Sequence, residues 1–595
     1  MSPRRIMLVA ALLIFAGAGR AADRPNVLLV ITDDQGFGDL GAHGNPVVKT
    51  PGIDAFAKNS AWLKNFYVSP VCSPTRSSLL SGLYNYRTGV VDTFLGRAMM
   101  RPGVRTLAER LGEQGYRTGL FGKWHLGDNY PLRPEDRGFQ TTLWHNGGGL
   151  AQPSDSPEMK PATAYFDPVL IRNGREVKTK GYCTDVFTDA ALDFIAADKR
   201  EPFFAYVAYN APHDPFEVPD SLAAPYRKLD LTAAGFPKSG QPWAGPKVNT
   251  EQIAAAYGMI ENIDTNFGRL LKALEEKKLA DDTLVIFMTD NGPGGVRYNA
   301  GLRNRKGTVY EGGIRVPCYV RLPGRIKPGH VIEQPAAHID LTPTILDLCH
   351  VAAKDSPAFD GRSLTALLAG TETSWPNRTI FLQWHRGNAP ERYRAFAARG
   401  PRYKLVQATG VAPENTLTPK FELFDLKADP FEQTDLASDR PDEIAALKKQ
   451  YDDWFTDVTK TGFDPVRVHI GSEHENPARL SRQDWRGPNA GWTADSLGYW
   501  EAFAERAGTY EFTVRSRTGF SRYELDLDFP ENKQTVGPRV SGPVATPDDN
   551  KSPILQTKVN RTLPKGPVRL TARVGDVNKM RGADYLEVRF VEVAK

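Results

Sequence analysis

Four cysteines in 595 residues are too few for a disulfide framework, so each thiol has to be explained on its own. Membrane-length apolar runs are also scarce. The stretch at 6–16 has 11 residues, where a bilayer span needs roughly 20. No charge of one sign dominates: 75 basic residues face 70 acidic ones, a formal net of +5, which carries no nucleic-acid footprint. There is no solenoid-type repeat and no long low-complexity tract. Apolar residues at 41% and charged residues at 24% exclude a disordered chain, a fibrous repeat and a polytopic membrane protein. At about 150 residues per domain, the length allows three or four compact units.

Arg4 and Arg5 precede the 6–16 run, and small residues at 17–22 follow it. This reads as a removable secretory leader, 1–21, cut after Ala21. Arg4, Arg5 and Arg20 would leave with it, bringing the balance closer to neutrality. No lipidation cysteine lies near the cut, so the expectation is an exported chain, periplasmic or secreted, with no membrane span once the leader is gone.

Short apolar runs alternate with helix-length stretches through the first two thirds of the chain, the mark of βα units feeding a buried, largely parallel sheet. The clearest strands are Asn26–Thr32, 203–209 and Thr283–Thr289; helical patterns cover 104–114, 185–198 and 250–277. In 376–465, short strands at 380–385, 394–398 and 403–407 precede a helix at 443–458, which predicts a smaller antiparallel sheet closing one edge. Beyond 465 the apolar residues alternate, as at Tyr510, Phe512 and Val514, at Val568, Leu570, Ala572 and Val574, and at Leu586, Val588 and Phe590. A period of two predicts a β-sandwich over 466–595. The expected fold is thus α/β, with a main domain at 22–375 built on a large, mostly parallel sheet flanked by helices.

Open parallel sheets present ligands at the carboxyl ends of their strands. Each clear strand here runs into polar residues at that end: Asp33-Asp34, then Asn210 through His213, then Asp290-Asn291. A fourth short run at 118–121 leads to Lys123 and His125. Singly these read as caps, turns or structural histidines. Together, three clustered carboxylates would repel strongly unless something positive sat among them. A bound cation is the simplest resolution, and a set of carboxylates and an amide favours Ca²⁺ or Mg²⁺ over zinc.

Cys72 lies in Pro-Val-Cys-Ser-Pro-Thr-Arg, with Pro74 suited to the first position of a helix and Arg76 on its first turn. Free N–H groups, the positive end of the helix dipole and a guanidinium would then converge beside residue 72, a geometry that receives a tetrahedral oxyanion. An ordinary cysteine there is either a thiolate nucleophile or a buried structural residue.

These residues resemble the sulfatase family. Its Cys-x-Pro-x-Arg segment stands complete at Cys72–Arg76 with Leu79-Leu80-Ser81-Gly82 behind it, and a second segment stands at Gly115 through His125. Further matches are Asp33-Asp34, Ala211-Pro212-His213, Asp290-Asn291-Gly292, Lys306 through Pro317, His338 through Thr344, and Leu423 through Asp429. The resemblance spans about 25–460 and implies an alkaline-phosphatase-like fold and hydrolysis of sulfate esters through a covalent sulfo-enzyme intermediate. It implies that Cys72 is oxidised to formylglycine by a maturation enzyme, its hydrated aldehyde acting as nucleophile. Asp33, Asp34, Asp290 and Asn291 match the family's calcium ligands, with modified residue 72 completing the shell. Arg76, Lys123 and His125 match groups that hold the hydrate; Lys123, His213 and Lys306 match groups that bind sulfate, and the latter two assist the leaving alcohol. The expected cofactor is Ca²⁺, with Mg²⁺ second, and the expected substrate is a sulfated carbohydrate, aryl sulfates serving as assay substrates. Two other readings stand beside this one. A phosphate or phosphonate ester hydrolase of the same superfamily is disfavoured because Asn291 stands where a two-zinc site would place an Asp-His pair. An unmodified Cys72 would suit a non-catalytic binder of sulfated glycans.

His145, in a glycine-rich stretch, and His385, after a strand, are further candidates for the substrate pocket, against an ordinary structural reading. His43, His330, His350, His469 and His474 are read as structural or surface residues. Cys318 and Cys349 could pair, although buried free thiols are preferred for Cys183, Cys318 and Cys349. Trp485, Trp492 and Trp500 could bind sugar rings, with core filling preferred.

Overall fold

The computed structural model describes residues 24–595 except 157, 160–161, 198–199, 243–247, 353–357, 373–374, 413–417, 518–519, 530–533, 536–539, 544–545, 548–554, 577 and 594–595. The expected leader, 1–21, lies outside the described residues.

Ten strands form the main sheet, in the order Val331–Ile332, Ala61–Leu63, Cys318–Arg321, Thr283–Thr289, Asn26–Thr32, Phe203–Ala208, Arg117–Lys123, Thr141–His145, Val169–Arg172, Arg175–Lys178. The five from Thr283–Thr289 to Thr141–His145 are parallel to one another, while Cys318–Arg321 and the Val169–Arg172 pair add antiparallel edges. This is the mixed, mostly parallel α/β sheet that the apolar runs predict. Asn26–Thr32 can be apolar throughout because both its faces are covered. Val27, Leu29 and Ile31 pack under Leu79, Leu111 and Ile345 on one side; Leu28 and Val30 share a second core with Phe187, Ile263 and Phe267 on the other. The helices that cover these faces are Cys72–Ser81, Leu107–Glu113 and Leu341–Leu348 on the first, Cys183–Ala196 and Thr250–Glu276 on the second.

The 104–114 pattern becomes a shorter helix because Thr106 caps it: its hydroxyl accepts from Glu109 N while the Glu109 carboxylate accepts from Thr106 N. A four-stranded antiparallel sheet follows, Ile380–Gln383, Phe396–Arg399, Tyr403–Gln407 and Glu422–Asp425, with helix Pro441–Thr459 laid against it. Its second strand starts later than the expected 394–398 because Tyr393 and Ala395 take positive φ, of 58° and 36°, which breaks the extended run.

The C-terminal region is a two-sheet sandwich of seven and five strands. Its core is filled from both sheets, by Trp500, Leu570 and Val574 and by Tyr510, Phe512 and Val588, and Trp485 joins them. Leu95, Met99 and Leu132 of the α/β region enter the same core, so the sandwich is packed onto the segments around them. No helix among the described residues is long and apolar enough to cross a membrane. All four cysteines are buried and unpaired.

Candidate functional site

Register brings the strand ends together. Thr32 pairs with Thr289, so Asp33-Asp34 and Asp290-Asn291 leave neighbouring strands side by side. On the other side Gly122 passes Ala208 so closely that a Cβ would sit 1.9 Å from its carbonyl oxygen; glycine there lets Lys123 and His125 approach the same edge. Asp33, Asp34, Asp290 and Asn291 are all buried, at 0% to 2% exposure.

The carboxylates are not left to repel one another. Lys123 Nζ lies 2.5 Å from Asp33 Oδ2, Lys306 Nζ 2.6 Å from Asp34 Oδ1, and Arg76 donates through Nε and Nη2 to Asp290 Oδ2 at 3.1 and 2.8 Å. The repulsion expected from sequence is therefore met by three basic side chains, and charge alone does not call for an ion. The oxygen inventory offers a place for one. Asp33 Oδ1 and Asn291 Oδ1 are buried with no hydrogen-bond partner, which is costly unless something binds them. Ligand atoms of Asp33, Cys72 and Asp290, and likewise of Asp33, Asp34 and His213, lie within 4.8 Å of one another. The carboxylate oxygens among these donors, with the Asn291 amide oxygen beside them, could hold a metal ion. Burial holds Asp290 up at about 6 and raises Asp33, while Lys306 and His213 pull Asp34 below the usual carboxylate range.

Cys72 is the first residue of helix Cys72–Ser81, and Pro74 the third rather than the first as the motif suggested. Val71 caps the helix without a side-chain bond; Pro74 has no N–H and Thr75 N donates to the Val71 carbonyl at 3.4 Å, so residues 72 and 73 carry the remaining first-turn N–H groups. Cys72 Sγ lies 3.3 Å from His125 Nδ1. Burial pushes the thiol up, so unmodified it would rest protonated, a poor nucleophile. Arg76 does not reach into the cleft: besides Asp290 it donates to the Lys123 carbonyl at 3.1 Å, so it positions the acidic cluster.

A cleft of about 500 Å³ opens above Cys72, lined also by His125, His213 and Lys306. His213 donates from Nδ1 to the Asp214 carbonyl at 2.6 Å and faces Asp34 through Nε2 at 3.9 Å; burial and then Lys306 lower its pKa to about 4. Lys123, expected on the sulfate, is fully buried beneath the cleft against Asp33.

Two expectations are corrected. His145 ends a strand paired with Lys123, but its ring is 1% exposed, packs toward Phe187 and lies outside the cleft lining. His385 also turns inward, its Nδ1 bonded to the Arg386 carbonyl and its Nε2 accepting from Glu391 N at 2.9 Å. Its neighbours Trp384 and Arg386 line the cleft instead. Gly148, near His145, lines it too, and a Cβ there would fall 2.3 Å from His125 Cε1. Thr93, Phe94 and Gln152 join a lining that the sequence does not announce, because they lie in loops with no recognisable motif, and Trp492, which the sequence offered for sugar rings against a core-filling reading, joins it too.

Comparison with known proteins agrees with this arrangement. The Sulfatase family profile matches residues 25–351, and that of the N-sulphoglucosamine sulphohydrolase C-terminal region matches 303–459. Bovine (Bos taurus) arylsulfatase A is 32% identical over 478 residues, covering 73% of this chain and 87% of its own. Canine (Canis lupus familiaris) N-acetylgalactosamine-6-sulfatase is 30% identical over 398 residues, covering 62% and 70%. Among solved structures, Ps i-CgsB in complex with k-i-k-neocarrahexaose superposes with a TM-score of 0.62 at 27% identity, covering 74% of this chain and 95% of that one. By profile, by identity and by fold, this chain belongs to the sulfatase family, within the alkaline phosphatase superfamily, and is a sulfuric ester hydrolase.

Proposed function

We propose that this enzyme desulfates carbohydrates, with residue 72 present as formylglycine and Ca²⁺, rather than Mg²⁺, held by Asp33, Asp34, Asp290 and Asn291. The observation that carries the reading is the pair of partnerless buried oxygens, Asp33 Oδ1 and Asn291 Oδ1, beside a cysteine at a helix N-terminus. Once present, the aldehyde hydrate and the ion supply an oxygen nucleophile active near neutral pH.

The chain's own groups do the rest. Thr93 O binds His125 Nε2 at 2.7 Å, so that nitrogen carries the proton and Nδ1 is free to accept one from residue 72. Lys306, with the positive end of the helix that begins at Cys72, neutralises sulfate oxygens. Lys306 supplies the proton the departing oxygen needs, while His213, a neutral ring above about pH 4 with its Nδ1 proton on the Asp214 carbonyl, orients the substrate as an acceptor through Nε2. Lys123 and Arg76 hold Asp33 and Asp290 in place. The carbohydrate class draws support from the names of the relatives, one an N-acetylgalactosamine-6-sulfatase and one bound to a neocarrahexaose. The leader and a partner enzyme that oxidises Cys72 belong to the same proposal.

The test is to mature the full chain with a formylglycine-generating enzyme, weigh the peptide carrying residue 72, and screen sulfated mono- and disaccharides against a phosphomonoester. Aldehyde mass with sulfate release is the expected result. A clear phosphate preference overturns it, and so does an intact thiol from the native host with no turnover, which would favour the binding reading.

A further inference from the structure

Three parts of the fold meet at the mouth of the cleft. Phe94 comes from a loop of the α/β region, Trp384 and Arg386 from the second sheet, and Trp492 from the sandwich, beyond residue 459 where the matched profiles end. Trp492 is 37% exposed, whereas Trp485 and Trp500 are wholly buried in the sandwich core. Its ring meets Phe94 edge-on, with centroids 5.2 Å apart. The loop that carries it is pinned: Arg482 Nη1 donates to the Thr493 carbonyl at 2.9 Å, the Thr493 and Ser496 hydroxyls bond at 2.8 Å, and Leu497 N donates to the Asn489 carbonyl at 2.9 Å. A solvent-facing tryptophan held this firmly is pre-organised for a ligand.

Arg386 lies across the same rings, its Cζ 4.5 Å from the Phe94 centroid and 5.0 Å from that of Trp384. It pairs with the buried Asp92 at 2.7 Å, and Arg97 pairs with the other oxygen of that carboxylate at 3.4 Å. Two guanidiniums thus share one buried carboxylate, and the Arg386 side chain is 35% exposed at the rim.

We propose that Trp492, Phe94 and Arg386 form a subsite for the sugar unit next to the one being desulfated: the rings take an apolar sugar face, and Arg386 favours a unit bearing a second anionic group. The C-terminal sandwich is then part of the substrate site, and Trp492 and Arg386 are specificity-determining residues. This rests on the carbohydrate reading above.

The test compares a sulfated monosaccharide, which ends before the shelf, with sulfated disaccharides that do or do not carry a second sulfate. It uses the matured full chain and its Trp492→Ala, Trp492→Phe and Arg386→Gln variants. Trp492→Ala should lower the disaccharide-to-monosaccharide ratio of kcat/KM by roughly fivefold to tenfold, through KM, with Trp492→Phe recovering most of it. Arg386→Gln should reduce the preference for the doubly sulfated disaccharide. Calorimetric binding of that disaccharide to wild type and Trp492→Ala gives the same comparison without turnover. Equal effects on mono- and disaccharide, or unchanged disaccharide binding, overturn the subsite. Turnover of monosaccharides with rejection of every disaccharide overturns it as well while leaving the sulfatase chemistry intact; failure on all sulfate esters sinks the chemistry instead.

Discussion

The Thr93 carbonyl accepts from His125 Nε2 at 2.7 Å and so fixes the imidazole tautomer that turns Nδ1 toward residue 72. Thr93 is itself held by the sandwich: Gln483 Nε2 donates to the same carbonyl at 2.9 Å, and Gly96 N donates to Gln483 O at 2.8 Å. A residue remote from the reacting atoms thus sets the orientation of a base. Gln483→Ala should lower kcat a few-fold with KM for a sulfated monosaccharide little changed, whereas His125→Ala should cost about 10²–10⁴-fold. Steady-state kinetics on the two variants checks the ordering.

The orphaned oxygens of Asp33 and Asn291 predict a second behaviour. Calcium bound to the folded chain alone raises stability by mass action, by about 2.7 kcal/mol at a hundredfold excess over Kd. Thermal melting of the full chain with and without Ca²⁺ after chelation should show this gain, and Asn291→Ala should lose much of it, its apo form melting below apo wild type because the Nδ2 bonds to Asp34 Oδ1 and the Gly292 carbonyl go with the side chain. A calcium-independent melting curve for the wild type would remove the ion from the account.

Much of this site is legible in the sequence for a geometric reason. A strand covered on both faces is written as an unbroken apolar run, and in a parallel sheet the residues after such runs must meet at one edge, as Asp33, His213 and Asp290 do. What is not legible follows from the same geometry. The pairing of Lys123 with Asp33 and Arg76 with Asp290 depends on side-chain reach, which no spacing encodes. Thr93 acts through its backbone carbonyl, a group every residue has. In Trp384-His385-Arg386 the histidine stands out as a chemical type, yet the chain turns it away from the cleft and sets its two neighbours along it.

Lys404 illustrates a load on the fold away from the chemistry. Its fully buried ammonium sits 2.9 Å from Glu311 and 2.8 Å from Glu432, joining the second sheet to the segment that follows Lys306. Removing one partner of a buried charge cluster leaves the others uncompensated, so Lys404→Met should destabilise by about 3–5 kcal/mol. Glu432, held up at about 7 by burial, would take up a proton more readily in the variant, so its loss should be smaller at pH 5 than at pH 8. Urea unfolding at the two pH values reads both effects.

Glu475 gives the seam between the sandwich and the α/β region a pH dependence of its own. Its carboxylate accepts from Tyr130 N at 2.8 Å and from Asn129 Nδ2 at 3.2 Å, and burial raises its pKa to about 7 despite Arg133 nearby. Between the ordinary glutamate value, roughly 4.3, and about 7 the folded chain keeps this proton while the unfolded chain has released it. The unfolded state then binds fewer protons, so stability falls as pH rises through that window and levels off above it. The contribution is fully present below the unfolded value and, at about 1.4 kcal/mol per unit, amounts to at most about 3–4 kcal/mol over the window. Glu475→Gln keeps an acceptor for Tyr130 N and has nothing to titrate, so the difference between wild-type and variant unfolding free energies should drift in the variant's favour from pH 4.5 to pH 7.5. A difference that stays constant across that range would assign the ionisation to another group.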